Sequence, residues 1–129
     1  MEPDFLDLAD VLELHRDRIE KYGGSHGVRD LGLLDSALAA PRATFGGEYL
    51  HEDVISMAAA YLYHVVMNHP FIDGNKRAGL AAAIAFLNLN GYDLVADPDE
   101  LTDLVLTTAE GKADKKTIAE FLRANSRKR

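Results

Sequence analysis

Helices account for essentially all of this chain, on three observations. Apolar residues recur at helical spacing, strand-like alternation is nearly absent, and Asp, Gly and Pro stand where helices would begin and end. The predicted fold is all-α: one compact helical bundle over residues 1–129, with a polar loop held between two central helices. A chain of 129 residues is long enough to bury roughly 65–70% of the surface its extended form exposes, so no disulfide or metal staple is needed.

The first helix runs from about Asp4 to Tyr22 and aligns Phe5, Leu8, Leu12 and Ile19 along one face; Gly23-Gly24 ends it. A shorter helix, Val28 to Ala40, is stopped by Pro41, which disfavours helical geometry in the residue before it. Residues 41–52 read as irregular. Val54–Asn68 and Lys76–Asn90 are almost wholly apolar or small, and the alanines at 58–60 and 81–83 permit close approach of the two helices; Gly91 closes the second. Asp97-Pro98-Asp99-Glu100 has the form of a helix start, with Asp97 as N-cap, Pro98 in the first turn and Glu100 placed to complete a capping box. That helix reaches Ala109. Gly111 follows it, Asp114 caps the last helix, and Ile118, Phe121 and Leu122 give it a narrow apolar stripe.

The absence of cysteine excludes a disulfide framework, a thiolate nucleophile and Cys-ligated zinc. No apolar run approaches the ~18 residues of a membrane span, and Met1-Glu2-Pro3-Asp4 is acidic where a secretory leader is basic. A cytoplasmic protein without membrane contact is expected. Net charge is −7, unevenly spread: residues 1–111 carry 7 Lys and Arg against 19 Asp and Glu, whereas residues 112–129 carry 7 against 2. The acidic body argues against direct nucleic-acid binding, which depends on neutralising phosphates. The basic tail, residues 123–129, is expected to be a solvated, frayed terminus or a docking tail for an acidic partner.

The loop between the two central helices reads His69-Pro70-Phe71-Ile72-Asp73-Gly74-Asn75-Lys76-Arg77. Gly74 and Asn75 tolerate the positive φ that turns successive N–H groups toward one point, and the following helix adds the positive end of its dipole, so the turn suits a phosphate. Lys76 and Arg77 bring a point charge and a planar fork of donors for phosphate oxygens. Asp73 supplies a hard oxygen suited to Mg²⁺ carried by a nucleotide. His69 is of a type that accepts a proton near neutral pH. Phe71 is read as an apolar anchor for the loop. His64, five residues before His69, does not share a helical face with it, so a packed or hydrogen-bonded histidine is expected there. His15, His26 and His51 show no constellation.

This loop resembles the Fic motif, His-x-Phe-x-Asp/Glu-Gly-Asn, and still more the death-on-curing (Doc) branch of that family, which has Asn-Lys-Arg at the positions of Asn75, Lys76 and Arg77. Gly32-Leu33-Leu34-Asp35-Ser36-Ala37-Leu38 and Pro41 resemble the upstream region of the same branch. Fic proteins that transfer AMP mostly carry Gly and a second Arg where this chain has Lys76 and Leu80. Doc proteins commonly have Ala where this chain has Gly74, a feature shared with the wider Fic motif.

The resemblance implies a toxin kinase that uses ATP and Mg²⁺, with the γ-phosphate turned toward a threonine of elongation factor Tu, and a Phd-like antitoxin as partner. It implies His69 as base, Asp73 on the metal, and Gly74, Asn75, Lys76 and Arg77 on the phosphates. The acidic body suits a basic amphipathic antitoxin tail. A self-inhibitory Fic helix of the Ser/Thr-x-x-x-Glu-Gly/Asn type is not evident, which fits inhibition from outside. In Fic folds a flap holds the target beside the His, and residues 41–52 are the candidate for it, with His51 near it. Gly74 keeps an AMP transferase as the alternative; a helical binding module without turnover is the other.

Overall fold

The computed structural model describes residues 2–129; Met1, part of the acidic N-terminal stretch, lies outside the described residues. Six α-helices carry the architecture: α1 (Leu8–Tyr22), α2 (Leu31–Ala39), α3 (Val54–Asn68), α4 (Asn75–Leu89), α5 (Pro98–Ala109) and α6 (Lys115–Asn125). Two short antiparallel ribbons are added to the expected helices. β1 (Thr44–Phe45) pairs with β2 (Glu48–Tyr49), and β3 (Tyr92–Leu94) pairs with β4 (Ser126–Lys128), with Asp93 opposite Arg127.

Aspartates set most helix starts. Asp7, Asp30, Asp53, Asp97 and Asp114 each accept a hydrogen bond from a first-turn N–H of α1, α2, α3, α5 and α6 respectively. Such a cap satisfies one of the orphan donors at a helix start and is worth about 1 kcal/mol. The caps explain the shifted boundaries. The first helix begins at Leu8, not Asp4, because Asp7 is extended and forms a reciprocal box with Asp10. The second begins at Leu31, not Val28, because Asp30 caps it, and Pro41 sits inside a 3-10 turn, Ala40–Arg42, that continues α2. Asp97 caps α5 as expected, through the N–H groups of Asp99 and Glu100.

Helix α3 is the central element and packs against α2, α4, α5 and α6. Its Ala58 and Ala59, with Ala78, Ala82 and Ala83 of α4, are fully buried in one contiguous apolar core that also holds Tyr61, Leu62, Val66, Phe86 and Leu87, and Ala60 is buried as well. The tightest approach is at Gly79, where an added Cβ would lie 2.8 Å from Val66 Cγ2 and 3.2 Å from the Leu62 carbonyl. Helix α4 thus lies nearly backbone to backbone on α3, and the loop joining them inherits that rigidity.

The basic C-terminal residues depart from the expectation of a frayed or free tail. Arg123 lies in α6 and pairs with Asp53 at 2.9 Å, residues 126–128 form β4, and Arg129 bonds the Gly91 carbonyl through its N–H and Asp93 through Nη1. Pairing with β3 satisfies the backbone groups that a frayed end would leave to water. Gly79→Val forces the α3–α4 seam apart. It should lower unfolding free energy in a urea titration by about 2 kcal/mol, the cost of overpacking a filled core; a change below about 0.5 kcal/mol would show the seam to be loose.

Candidate active site

The loop from His69 to Gly74 joins α3 to α4, and its first residue is under strain. His69 caps α3 with φ 50° and ψ 51°, the one non-glycine residue with positive φ among the described residues. A β-carbon in left-handed geometry costs roughly 1–2 kcal/mol. Glycine would remove that cost and the imidazole with it.

Asn75 holds the loop closed. Only 6% exposed, its Oδ1 accepts from the Phe71 N–H at 2.9 Å, while Nδ2 donates to the Phe71 carbonyl at 3.0 Å and to His69 Nδ1 at 3.1 Å. The Phe71 N–H fixes which end of the amide is oxygen, so the contact with His69 makes Nδ1 an acceptor and leaves the neutral ring's proton on Nε2. Both amide hydrogens of Asn75 are thus engaged in the loop.

Two further contacts brace the loop from α1. His15, 4% exposed, stacks on Phe71 with ring centroids 3.8 Å apart and planes at 4°. Its Nε2 donates to the Asp73 carbonyl at 2.7 Å, and burial holds its pKa below the ordinary value. In the sequence His15 stands in no constellation. The available signal was its position on the buried face of α1, four residues from both Val11 and Ile19, where an unpaired polar group would be costly.

The residues expected to bind phosphate come together at the start of α4. Five helices have an aspartate at the N-cap, but α4 has Gly74, with φ 76° and no side-chain cap. The N–H groups of Asn75, Lys76 and Arg77 therefore point out of the helix start without a side-chain partner from the cap. An added Cβ on Gly74 would sit 2.9 Å from Ile19 Cδ1 and 3.5 Å from His15 Nε2, so position and space both favour glycine. His69, Ile72, Asp73, Gly74, Asn75, Lys76 and Arg77 line a cleft of about 190 Å³ here. Lys76 is exposed. Arg77 is half-buried and anchored by Nη1 to the carbonyls of Gly23, at 2.8 Å, and Arg18, at 3.4 Å.

Asp73 is exposed and ionised. The N–H groups of Ser25 (3.0 Å) and Gly74 (2.8 Å) bond its two oxygens and hold its pKa below the usual carboxylate range, with Arg77 nearby adding to the effect. Among the described residues no group of three or more His, Cys, Asp or Glu is placed to hold a metal ion. One carboxylate beside a phosphate cradle fits Mg²⁺ that arrives on a nucleotide and keeps its waters, not a resident metal.

Of residues 41–52, the stretch expected to form the flap, the β1–β2 hairpin is anchored toward the far end of α4. Its Tyr49 packs on Phe5, which stacks on Phe86, eleven residues along α4 from Asn75 and so about 16 Å distant. The segment paired with the loop is 24–30. Gly27 accepts from the Ile72 N–H, the N–H groups of Arg29 and Asp30 donate to Pro70, and Val28 forms an antiparallel bridge with Phe71. The sequence obscured this because 23–30 lack strand alternation and are extended only by pairing with the loop.

A model of Fic/DOC proteins matches residues 5–87, which include every residue of the loop and its braces. The chain belongs to the Fic/DOC family. Its relatives include the toxin Doc of Mycolicibacterium smegmatis, 41% identical over 121 residues that cover 92% of this chain and 91% of the relative. The protein kinase doc of Escherichia phage P1 is 33% identical over 114 residues, covering 88% and 89%. Among the described residues of this Fic/DOC chain, no helix is long and apolar enough to cross a membrane.

A second histidine group lies outside the cleft. Lys115 Nζ stands 3.1 Å from His64 Nε2 and 3.3 Å from His51 Nε2; His64 is thus hydrogen-bonded as expected, whereas His51 joins a cluster that sequence spacing did not reveal. Burial, with Lys115 second, lowers both imidazole pKa values, and that of His64 falls to about 4. With His15 also lowered, three groups bind protons more readily unfolded than folded. Their contribution to stability is complete above pH about 6.5 and is lost as pH falls from there toward 4. Urea titrations should give a flat unfolding free energy at pH 7–8 and a steady decline between pH 6.5 and 4.5, shallower in His64→Leu. A free energy that holds or rises across that window would contradict these environments.

Proposed function

We propose that this Fic/DOC chain is a toxin kinase that transfers the γ-phosphate of ATP to a threonine hydroxyl of a cytoplasmic translation factor, elongation factor Tu. The observation that carries this reading is the start of α4, left open by Gly74 and flanked by Lys76 and Arg77, within one cleft with His69. The relatives' names, one a toxin and one a protein kinase, support the same activity.

The chain's own groups account for the step. The phosphate oxygens settle on the N–H groups of Asn75, Lys76 and Arg77, with the Lys76 ammonium and Arg77 guanidinium offsetting their charge. Asp73 would hold Mg²⁺, which supplies charge neutralisation on the nucleotide. The threonine oxygen bonds to the γ-phosphorus as the bond from that phosphorus to the β–γ bridging oxygen breaks, ADP leaves, and the hydroxyl proton passes to His69. In the resting loop the lone pair of His69 is on Nδ1 and engaged by Asn75, so the ring exchanges tautomer or releases Asn75 when the hydroxyl arrives. Such rearrangement between resting and reactive geometry is common. The work is mainly positioning and electrostatics. The extended segment 24–30, beside the cleft, is where main-chain pairing would hold the target.

The AMP-transferring alternative rests on Gly74. In most Fic proteins that transfer AMP a second Arg stands at the position of Leu80, which here lines a groove with Thr102, Val105 and Leu106 beside Lys76 and Arg77, and so adds no further cation. The kinase reading is favoured for that reason. Toxicity of this kind requires restraint, and a Phd-like antitoxin with a basic amphipathic tail is the partner proposed.

Incubation with elongation factor Tu, Mg²⁺ and ATP labelled in parallel at the γ- and α-phosphates tests the reading. The expected result is γ label alone on a threonine, reduced about 10²–10⁴-fold in folded His69→Ala. Transfer of α label would establish AMP transfer, and full activity in His69→Ala would remove the assigned base.

A further inference from the structure

We infer that Arg29 is a positioning residue for His69, a role that rests on the proposed phosphotransfer reading. Three consecutive carbonyls around the strained cap of α3 bond to this one residue. Arg29 Nε donates to the His69 carbonyl at 2.7 Å, Nη2 to the Asn68 carbonyl at 3.2 Å, and its backbone N–H to the Pro70 carbonyl at 2.7 Å.

The placement answers a specific need. A helix usually ends on glycine when its cap is left-handed, because a β-carbon resists that geometry. Here the cap must carry an imidazole, so the conformation has to be imposed by other contacts. The guanidinium fork holds the peptide groups on both sides of the His69 α-carbon, and its charge sits at the negative end of the α3 dipole. Asn75 meets the ring on its other side, through Nδ1. The backbone of His69 is therefore held by Arg29 and the ring by Asn75. Arg29 forms no ion pair among the described residues, so its fork is committed to these carbonyls. Placing it on 24–30 also ties the position of the base to the segment proposed to hold the target.

A lysine can reach one carbonyl but cannot span two in a plane, which makes Arg29→Lys a graded control for Arg29→Ala. Displacement of a catalytic group by about 1 Å costs on the order of 10² in rate. Arg29→Ala should lower kcat by about that factor with KM for Mg-ATP changed by less than about twofold, since the N–H cradle of α4 is untouched, and Arg29→Lys should recover part of kcat. Nitrogen-15 NMR of the imidazole provides a readout that needs no turnover: His69 Nδ1 should shift in Arg29→Ala while the amides of Lys76 and Arg77 stay in place. Unchanged kcat, a rise confined to KM, or an unmoved His69 Nδ1 in folded Arg29→Ala would overturn the assignment. If the wild-type chain transfers nothing from ATP, the kinase reading fails by itself, and the NMR comparison alone decides whether Arg29 sets the geometry of His69.

Discussion

The interaction on which the site depends is the clamp formed by Asn75. One buried amide closes on the Phe71 backbone through both its donor and acceptor ends, and the remaining hydrogen reaches His69 Nδ1. A buried amide left unpaired would cost on the order of 1–3 kcal/mol, so the loop has one low-energy closure. That closure places the proposed base and the first open N–H of α4 on either end of the same side chain. Phe71, buried and stacked on His15, secures the loop to the core at the point where Asn75 grips it.

The rest of the molecule keeps that clamp stationary. The α3–α4 seam, closed at Gly79, fixes both ends of the loop. His15 from α1 and the extended segment 24–30 hold its outer side through the carbonyls of residues 68–70 and 73, the Gly27 carbonyl and the Asp73 carboxylate. Stability and chemistry separate at the helix starts. Aspartate caps at five helices satisfy first-turn donors, while α4 has none, which leaves its donors and dipole open at the proposed phosphate site.

Much of this could be read in the sequence because the residues of the proposed chemistry are contiguous. The limits of Val54–Asn68 and the cap at Asp97 follow from periodicity and capping, and the loop residues lie within nine positions of one another. What the sequence hid is tertiary. His15 and Arg29 reach the loop from 58 and 40 residues away, and neither stands in a local pattern that marks its partner. The cluster of Lys115, His51 and His64 likewise draws on α6, α3 and the loop before α3. The basic tail looked free because its composition is that of a solvated end, whereas the pairing of β4 with β3 depends on the packing of α6 against α3. The hairpin at 44–49 was hidden for a local reason, since its glycines read as those of an irregular connector but serve a tight turn between β1 and β2.

The most direct test of the account is to follow backbone amide shifts of the nitrogen-15-labelled protein while adding Mg²⁺ and a non-hydrolysable ATP analogue. The account predicts that Gly74, Asn75, Lys76 and Arg77 move first and furthest, with saturation at one nucleotide per chain, because the uncapped start of α4 receives the phosphates. Shifts concentrated elsewhere, for example along the groove lined by Ser56, Lys115 and Lys116, with residues 74–77 unmoved, would contradict it.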